Sequence, residues 1–151
     1  MAFGPDIIVT ERDGWEPALI VEAKINLQDL EGTERQLKKY MSATLCPVGM
    51  IVTPIQLRLY RNRYLSSSED SIDLVGAFDI HDVLDFGHSG TGGGDAFEFE
   101  RRVQEWLEGL GSEAGWQELP TELRRAVRWY IFPAVSQGVV QAAHPRPRLG
   151  V

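Results

Sequence analysis

The sequence predicts an α/β (α+β) domain: a mixed central sheet flanked by helices, with further helices towards the C-terminus. Three observations predict it. Two β-rich runs flank an Asp-Gly turn, a helical run follows, and two more strand runs come after it, giving the order ββαββ. A length of 151 residues, 43% hydrophobic and 25% charged, suits one domain around a single core.

Ile7 to Thr10 and Ala18 to Val21 are the first two strands, joined through Asp13-Gly14, a dipeptide that favours hairpins because it tolerates positive φ. Thr33 to Leu45 reads as a helix. Leu37, Tyr40, Met41, Thr44 and Leu45 recur at helical spacing and Pro47 stops it. Val48 to Thr53 and Gln56 to Arg61 are two more strands, the second alternating Leu57 and Leu59 with Arg58 and Tyr60. Ser66 to Ser71 is a surface loop, Ile72 to Phe78 a further strand, and Asp79 to Phe86 a short helix.

Residues 1–87 thus form the α/β core, 88–94 a Gly-rich connector, 95–143 a helical C-terminal part of the same domain, and 144–151 a tail. Within 95–143, Asp95 with Glu98 opens a helix running to about Leu110. Thr121 to Ile131 is another helix, which Pro133 must kink or end. Trp15, Trp106, Trp116 and Trp129 are assigned to packing, because no spacing links them into a stacking platform.

Composition excludes several classes. No apolar run approaches the ~20 residues of a membrane span, and the start MAFGPD has no signal-peptide pattern. Cys46 is the single cysteine, so no intrachain disulfide forms and a reducing cytoplasm is the expected setting. His81, His88 and His144 contain no close-spaced zinc pair. The formal charge is −7, but it is segregated. Residues 34–63 set Arg35, Lys38, Lys39, Arg58, Arg61 and Arg63 against Glu34 alone, whereas residues 64–100 carry nine acids and no Lys or Arg. Local fields steer a polyanion, so a basic face remains compatible with the net acidity.

Chemistry-bearing residues concentrate at one end of the hairpin. Glu22 and Lys24, two apart, share one face of a strand. A turn centred on Asp13-Gly14 sets Asp6 opposite Val21, while a wider turn moves its partner past Glu22. Either register brings two carboxylates together beside a lysine. Such a pair is costly without a cation and commonly holds Mg²⁺. A divalent ion beside an ammonium is a rational arrangement for cleaving phosphodiesters. On the helix, Gln36 and Tyr40 are four apart and share a face. Bland roles compete with each: Thr33 with Gln36 also reads as a capping box, Tyr40 as core, and Lys38 and Lys39 as a solvated face.

Taken in order, Pro5-Asp6, Glu22-Ala23-Lys24 after Ala-Leu-Ile-Val, and Gln36-Leu-Lys-Lys-Tyr40 resemble the PD-(D/E)xK nuclease superfamily. With the strands Gly49 to Thr53 and Leu57 to Tyr60, the chain is most similar to the N-terminal nuclease domain of type I restriction enzyme R subunits, over residues 5–61. The resemblance implies a restriction endonuclease-like core. It implies Asp6, Glu22 and the Ala23 carbonyl as ligands of Mg²⁺ or Mn²⁺, Lys24 as the catalytic lysine, and Gln36 and Tyr40 as accessory catalytic residues. The implied activity is Mg²⁺-dependent hydrolysis of DNA phosphodiester bonds in restriction or repair. Lys38, Lys39, Arg58, Arg61 and Arg63 would then contact the DNA backbone. The alternative is a catalytically inactive module of the same fold that binds nucleic acid or protein.

The family places a helix, often with an acidic residue, and a strand ahead of Pro-Asp, whereas here four residues precede Pro5. The N-terminal helix and first strand are thus expected to be missing. An open sheet edge invites pairing, so a homodimer is expected, with a helicase or methyltransferase as a candidate partner.

Overall fold

In the computed structural model, which describes residues 4–84 and 96–143, β1 (Ile7–Glu11) and β2 (Pro17–Ala23) form the expected antiparallel hairpin. Its connection is wide: the Glu11 N–H donates to the Glu16 carbonyl at 3.3 Å, and the register shifts between Val9 and Thr10. α1 (Leu30–Thr44) begins three residues earlier than the sequence pattern places it. The Asp29 carboxylate caps it by accepting the Gly32 N–H at 2.9 Å. Thr33 is therefore inside the helix, which removes the capping-box role for Gln36. Leu45 lies just past the helix in the left-handed region, φ 57°.

β3 (Val48–Val52) runs parallel to β2, and β4 (Gln56–Asn62) returns antiparallel to β3. β5 (Ile72–Asp79) pairs antiparallel with β4. Residues 80–84 after it form a turn in which the Val83 N–H reaches the Ile80 carbonyl at 2.9 Å, not the expected helix; Asp85 and Phe86 lie outside the described residues. His88, His144, the 88–94 connector, the Asp95 cap and the 144–151 tail also lie outside them.

α2 (Ala96–Gly109) agrees with expectation. α3 (Thr121–Ala126) runs through a π-helical turn at Val127–Ile131 into α4 (Phe132–Ser136). The Phe132 N–H donates to Val127, five residues back, so the chain widens by one residue immediately before Pro133 and stays helical through it. The C-terminal part is not wholly helical. Gly138–Ala142 forms β6, antiparallel to β1, and completes a mixed sheet in the order β5-β4-β3-β2-β1-β6. Val139-Val140 is too short an apolar run to announce a strand; pairing with β1 decides it.

α1 covers one face of the sheet. Leu37 and Met41 pack on Ile20, Ile51 and Tyr60, and Gly49 admits the helix closely, since a Cβ there would meet Met41 Sδ at 2.6 Å. The other face is the larger core, where Ile7, Val21, Met50, Leu57 and Leu59 meet Phe99, Val103 and Leu107 of α2 and Val127 and Ile131 of the third helical stretch. Of the tryptophans, Trp116 is buried and Trp106 packs against this core, as expected. Trp15 is 96% exposed and Trp129 67%, so neither packs inside. Among the described residues no helix is long and apolar enough to cross a membrane.

The edge that the sequence leaves open beside β1 is filled by β6 of the same chain. The argument for a homodimer from that edge therefore falls away.

Candidate functional site

β1 and β2 together build the site. Ile7 stands opposite Val21, and this register, continued by one residue, carries Asp6 to the level of Glu22, between the two registers the sequence left open. The Asp6 N–H donates to the Val21 carbonyl at 2.9 Å. The Ala23 N–H donates to Asp6 Oδ2 at 2.8 Å and fixes the carboxylate. Ala23 thus lies between the two acids through its backbone, while its side chain enters the larger core.

Both acids are buried, Asp6 6% and Glu22 3% exposed. Lys24 extends from the end of β2, where its N–H continues the sheet to the Val52 carbonyl at 2.9 Å. Its Nζ lies 3.2 Å from Glu22 Oε1 and 3.9 Å from Asp6 Oδ2, with the side chain 41% exposed. The three groups that the hairpin was expected to bring together therefore form one cluster at the mouth of the sheet.

Electrostatics follows from this packing. Burial first, and then the hydrogen bond to Asp6 and its charge, push the Glu22 carboxyl up to about 9. Burial alone would lower Lys24, but attraction to Glu22 and Asp6, with a contribution from Glu100, holds it above the usual lysine value. At neutral pH the Glu22 carboxyl therefore keeps its proton beside the Lys24 ammonium.

Glu100 escaped the sequence analysis. It sits on α2, 5% exposed, and acts electrostatically on Lys24 from an element 76 residues further along the chain. A local signal existed: Glu100 falls on the helical stripe of Phe99, Val103 and Leu107, and an acid on a buried stripe is unusual.

The α1 pair does not gather in the same way. Gln36 is exposed, and Tyr40 lies half-buried against the cluster of Ile20, Leu37 and Met41 beneath the helix. The expected basic face is also rearranged. Arg58 donates to Glu34 at 3.3 Å and to the Tyr60 hydroxyl at 3.0 Å, and that hydroxyl in turn donates to Glu34 at 2.5 Å. Lys38 faces the same carboxylate at 3.9 Å, and Arg63 pairs with Asp73 at 3.1 Å. Arg61 is exposed but pairs with Val48, at the opposite end of β3 from Val52 and Lys24. Lys39 is exposed on α1. Three of the five expected backbone contacts are thus committed to internal carboxylates.

Among the described residues, no group of three or more His, Cys, Asp or Glu is gathered closely enough to hold a metal ion. The donor set is the Asp6–Glu22 pair. Hard carboxylate oxygens suit Mg²⁺, which usually takes one or two protein carboxylates and completes its shell with water and phosphate. Compared with protein-family models, curated proteins and solved structures, the chain matches none of them. What fold and site define by themselves is a mixed α/β domain with a buried acid pair and a lysine at the mouth of its sheet.

Proposed function

We propose that the chain is a metal-dependent phosphodiesterase of the nuclease type, acting on DNA in a restriction or repair setting and built on the restriction endonuclease-like plan. The observation that carries the reading is the buried Asp6–Glu22 pair, locked by the Ala23 N–H and facing the Lys24 ammonium. The topology adds support. α2 and β6 supply a helix bearing a buried acid and a strand beside β1, the two parts that the resemblance expects ahead of Pro5.

In this reading Asp6 and Glu22 hold Mg²⁺ or Mn²⁺, with the Ala23 carbonyl as a further oxygen donor. Bound there, the ion would polarise the scissile phosphate and acidify a water. Lys24 orients that water and offsets charge developing on the phosphate. Glu100 adds a minor attraction to the Lys24 ammonium from α2.

A second reading rests on the Glu22 carboxyl. Pushed up to about 9, it is neutral at pH 7 and satisfied by Asp6 and Lys24, as a structural polar cluster in a non-catalytic module would be. Calorimetric titration of Mn²⁺ into the protein and into Asp6→Asn separates the two. One-site binding that vanishes in the variant supports the enzyme, and cleavage lost in Glu22→Gln completes the case. Absence of binding by both proteins leaves the structural module.

A further inference from the structure

If β4 does not supply the cations for a long substrate, another surface must. α1 joins two parallel neighbouring strands, so it starts at the Lys24 end of the sheet and runs back towards Val48. Arg35 lies about 7.5 Å along its axis from Leu30 and Lys39 about 13.5 Å, at a rise of ~1.5 Å per residue. Both are exposed, four residues apart on one stripe, with Gln36 exposed beside them. Neither makes an ion pair within 4 Å among the described residues, although exposed Glu31 precedes Arg35 by four positions. Like charges at this spacing repel across a helix turn. Exposed Glu31 and solvent offset part of this repulsion, and phosphates along the helix would offset it further.

We infer that Arg35 and Lys39 on α1 are phosphate contacts for a DNA strand leaving the Asp6–Glu22–Lys24 site. The inference rests on the proposed nuclease reading and deepens it. Two exposed cations on the helix that begins at the Lys24 end of the sheet suit a substrate with phosphates beyond the scissile one, so the inferred substrate is a polymer rather than a small diester. It also transfers the contact surface from the β4 arginines, which are paired internally or stand at the far end of the sheet, to the outer stripe of the helix that follows Lys24.

The test measures binding of a short labelled DNA duplex by fluorescence anisotropy, in EDTA to prevent cleavage, between about 50 and 200 mM salt. The Arg35→Ala/Lys39→Ala protein is expected to bind about tenfold or more weakly, with the slope of log K against log salt reduced by about 2, because each lost phosphate contact removes ~0.9. Arg61→Ala/Arg63→Ala is expected to retain the parent slope. An unchanged slope in the α1 variant, loss in the Arg61→Ala/Arg63→Ala protein instead, or no duplex binding by the parent protein overturns the inference. Failure of the nuclease reading shows separately, as the absence of Asp6-dependent Mn²⁺ heat, which neither cation variant alters.

Discussion

The backbone N–H of Ala143 donates to the carbonyl of Asp6 at 2.9 Å, so the strand that closes the sheet holds the residue that opens the site. β6 reaches that position only because Gly138 lets it pass close to β1 and α4. A Cβ at Gly138 would lie 2.6 Å from the Thr10 carbonyl oxygen and 2.7 Å from that of Ala134, both of them backbone. Gly138→Ala is therefore expected to destabilise the protein by about 2 kcal/mol in urea unfolding and, on the proposed metal reading, to weaken Mn²⁺ binding, because Asp6 loses its flanking strand. Val139→Ala, on a half-exposed side chain, should do neither. Loss of stability with full metal affinity would mean that Asp6 is positioned by β2 alone.

Glu100 reaches the site from α2, and its expected effect is correspondingly indirect. Glu100→Gln preserves shape but removes the charge that helps hold Lys24 protonated. On the proposed metal reading, metal affinity or cleavage should fall by about threefold, because Glu100 adds only the weakest of the attractions at Lys24. Glu105→Gln, exposed on the same helix, is the control. Equal behaviour of the two variants would assign Glu100 to packing.

The pH dependence of stability follows from Glu22. Its folded-state value, about 9, is raised above the ordinary 4.5, so between these limits the folded protein binds a proton that the unfolded chain has released. The stabilisation is complete below about 4.5 and is lost as pH rises through about 9. Lys24 is raised as well, but its loss falls at higher pH, above the lysine range. In EDTA, the parent protein should therefore lose stability relative to Glu22→Gln between about pH 6 and 8, by at most about 1.4 kcal/mol per pH unit. Saturating Mn²⁺ should reverse the trend, because an ion that binds both carboxylates displaces the proton. Parallel urea midpoints for the two proteins across this range, without metal, would show that Glu22 is ionised in the fold.

The parts of this architecture that sequence made legible are those governed by local pattern. The Asp13-Gly14 hairpin, the α1 stripe of Leu37 and Met41, and the alternation in β4 all express short-range periodicity, and each appears within a few residues of its expected place. Asp6, Glu22 and Lys24 were legible because one hairpin brings them together. β6 was not, and of Glu100 only its place on a buried helical stripe was, since their partners β1 and Lys24 lie more than 70 residues away. The internal partners of Arg58 were hidden for a related reason. Its partners Glu34 and Tyr60 meet it only once α1 lies on the sheet, and a cation that looked free in sequence is internally satisfied.

Tyr60 makes that coupling testable. Its ring is fully buried, and its hydroxyl accepts from Arg58 while donating to Glu34. Removing the oxygen in Tyr60→Phe leaves the cation and carboxylate in place but takes away the group that aligns them. A loss of about 1–3 kcal/mol is expected, the usual cost of a hydrogen bond to a charged partner. Glu34→Gln in the same background should then add little, because the two substitutions interrupt one network and neighbouring effects are not additive. Full additivity in the double variant would mean that Arg58 and Lys38 hold Glu34 without the tyrosine.

Leu45 provides the closing prediction, with a definite sign. It takes the left-handed conformation, φ 57°, immediately after α1, where a side chain crowds its own backbone. That side chain is 63% exposed, so little packing compensates. Glycine removes the steric cost of about 1–2 kcal/mol, offset by the roughly 0.5–1 kcal/mol of extra chain entropy that it brings to the unfolded state. Leu45→Gly should therefore be stabilising, by about 0.5–1 kcal/mol, as glycine commonly is where a helix ends in this conformation. The hydrogen bond from the Tyr64 hydroxyl survives the change, because it is accepted by the Leu45 backbone carbonyl at 3.0 Å. Leu45→Ala keeps the Cβ and should show no such gain. A urea midpoint that falls in Leu45→Gly would mean that the exposed leucine makes a contact worth more than the strain it tolerates.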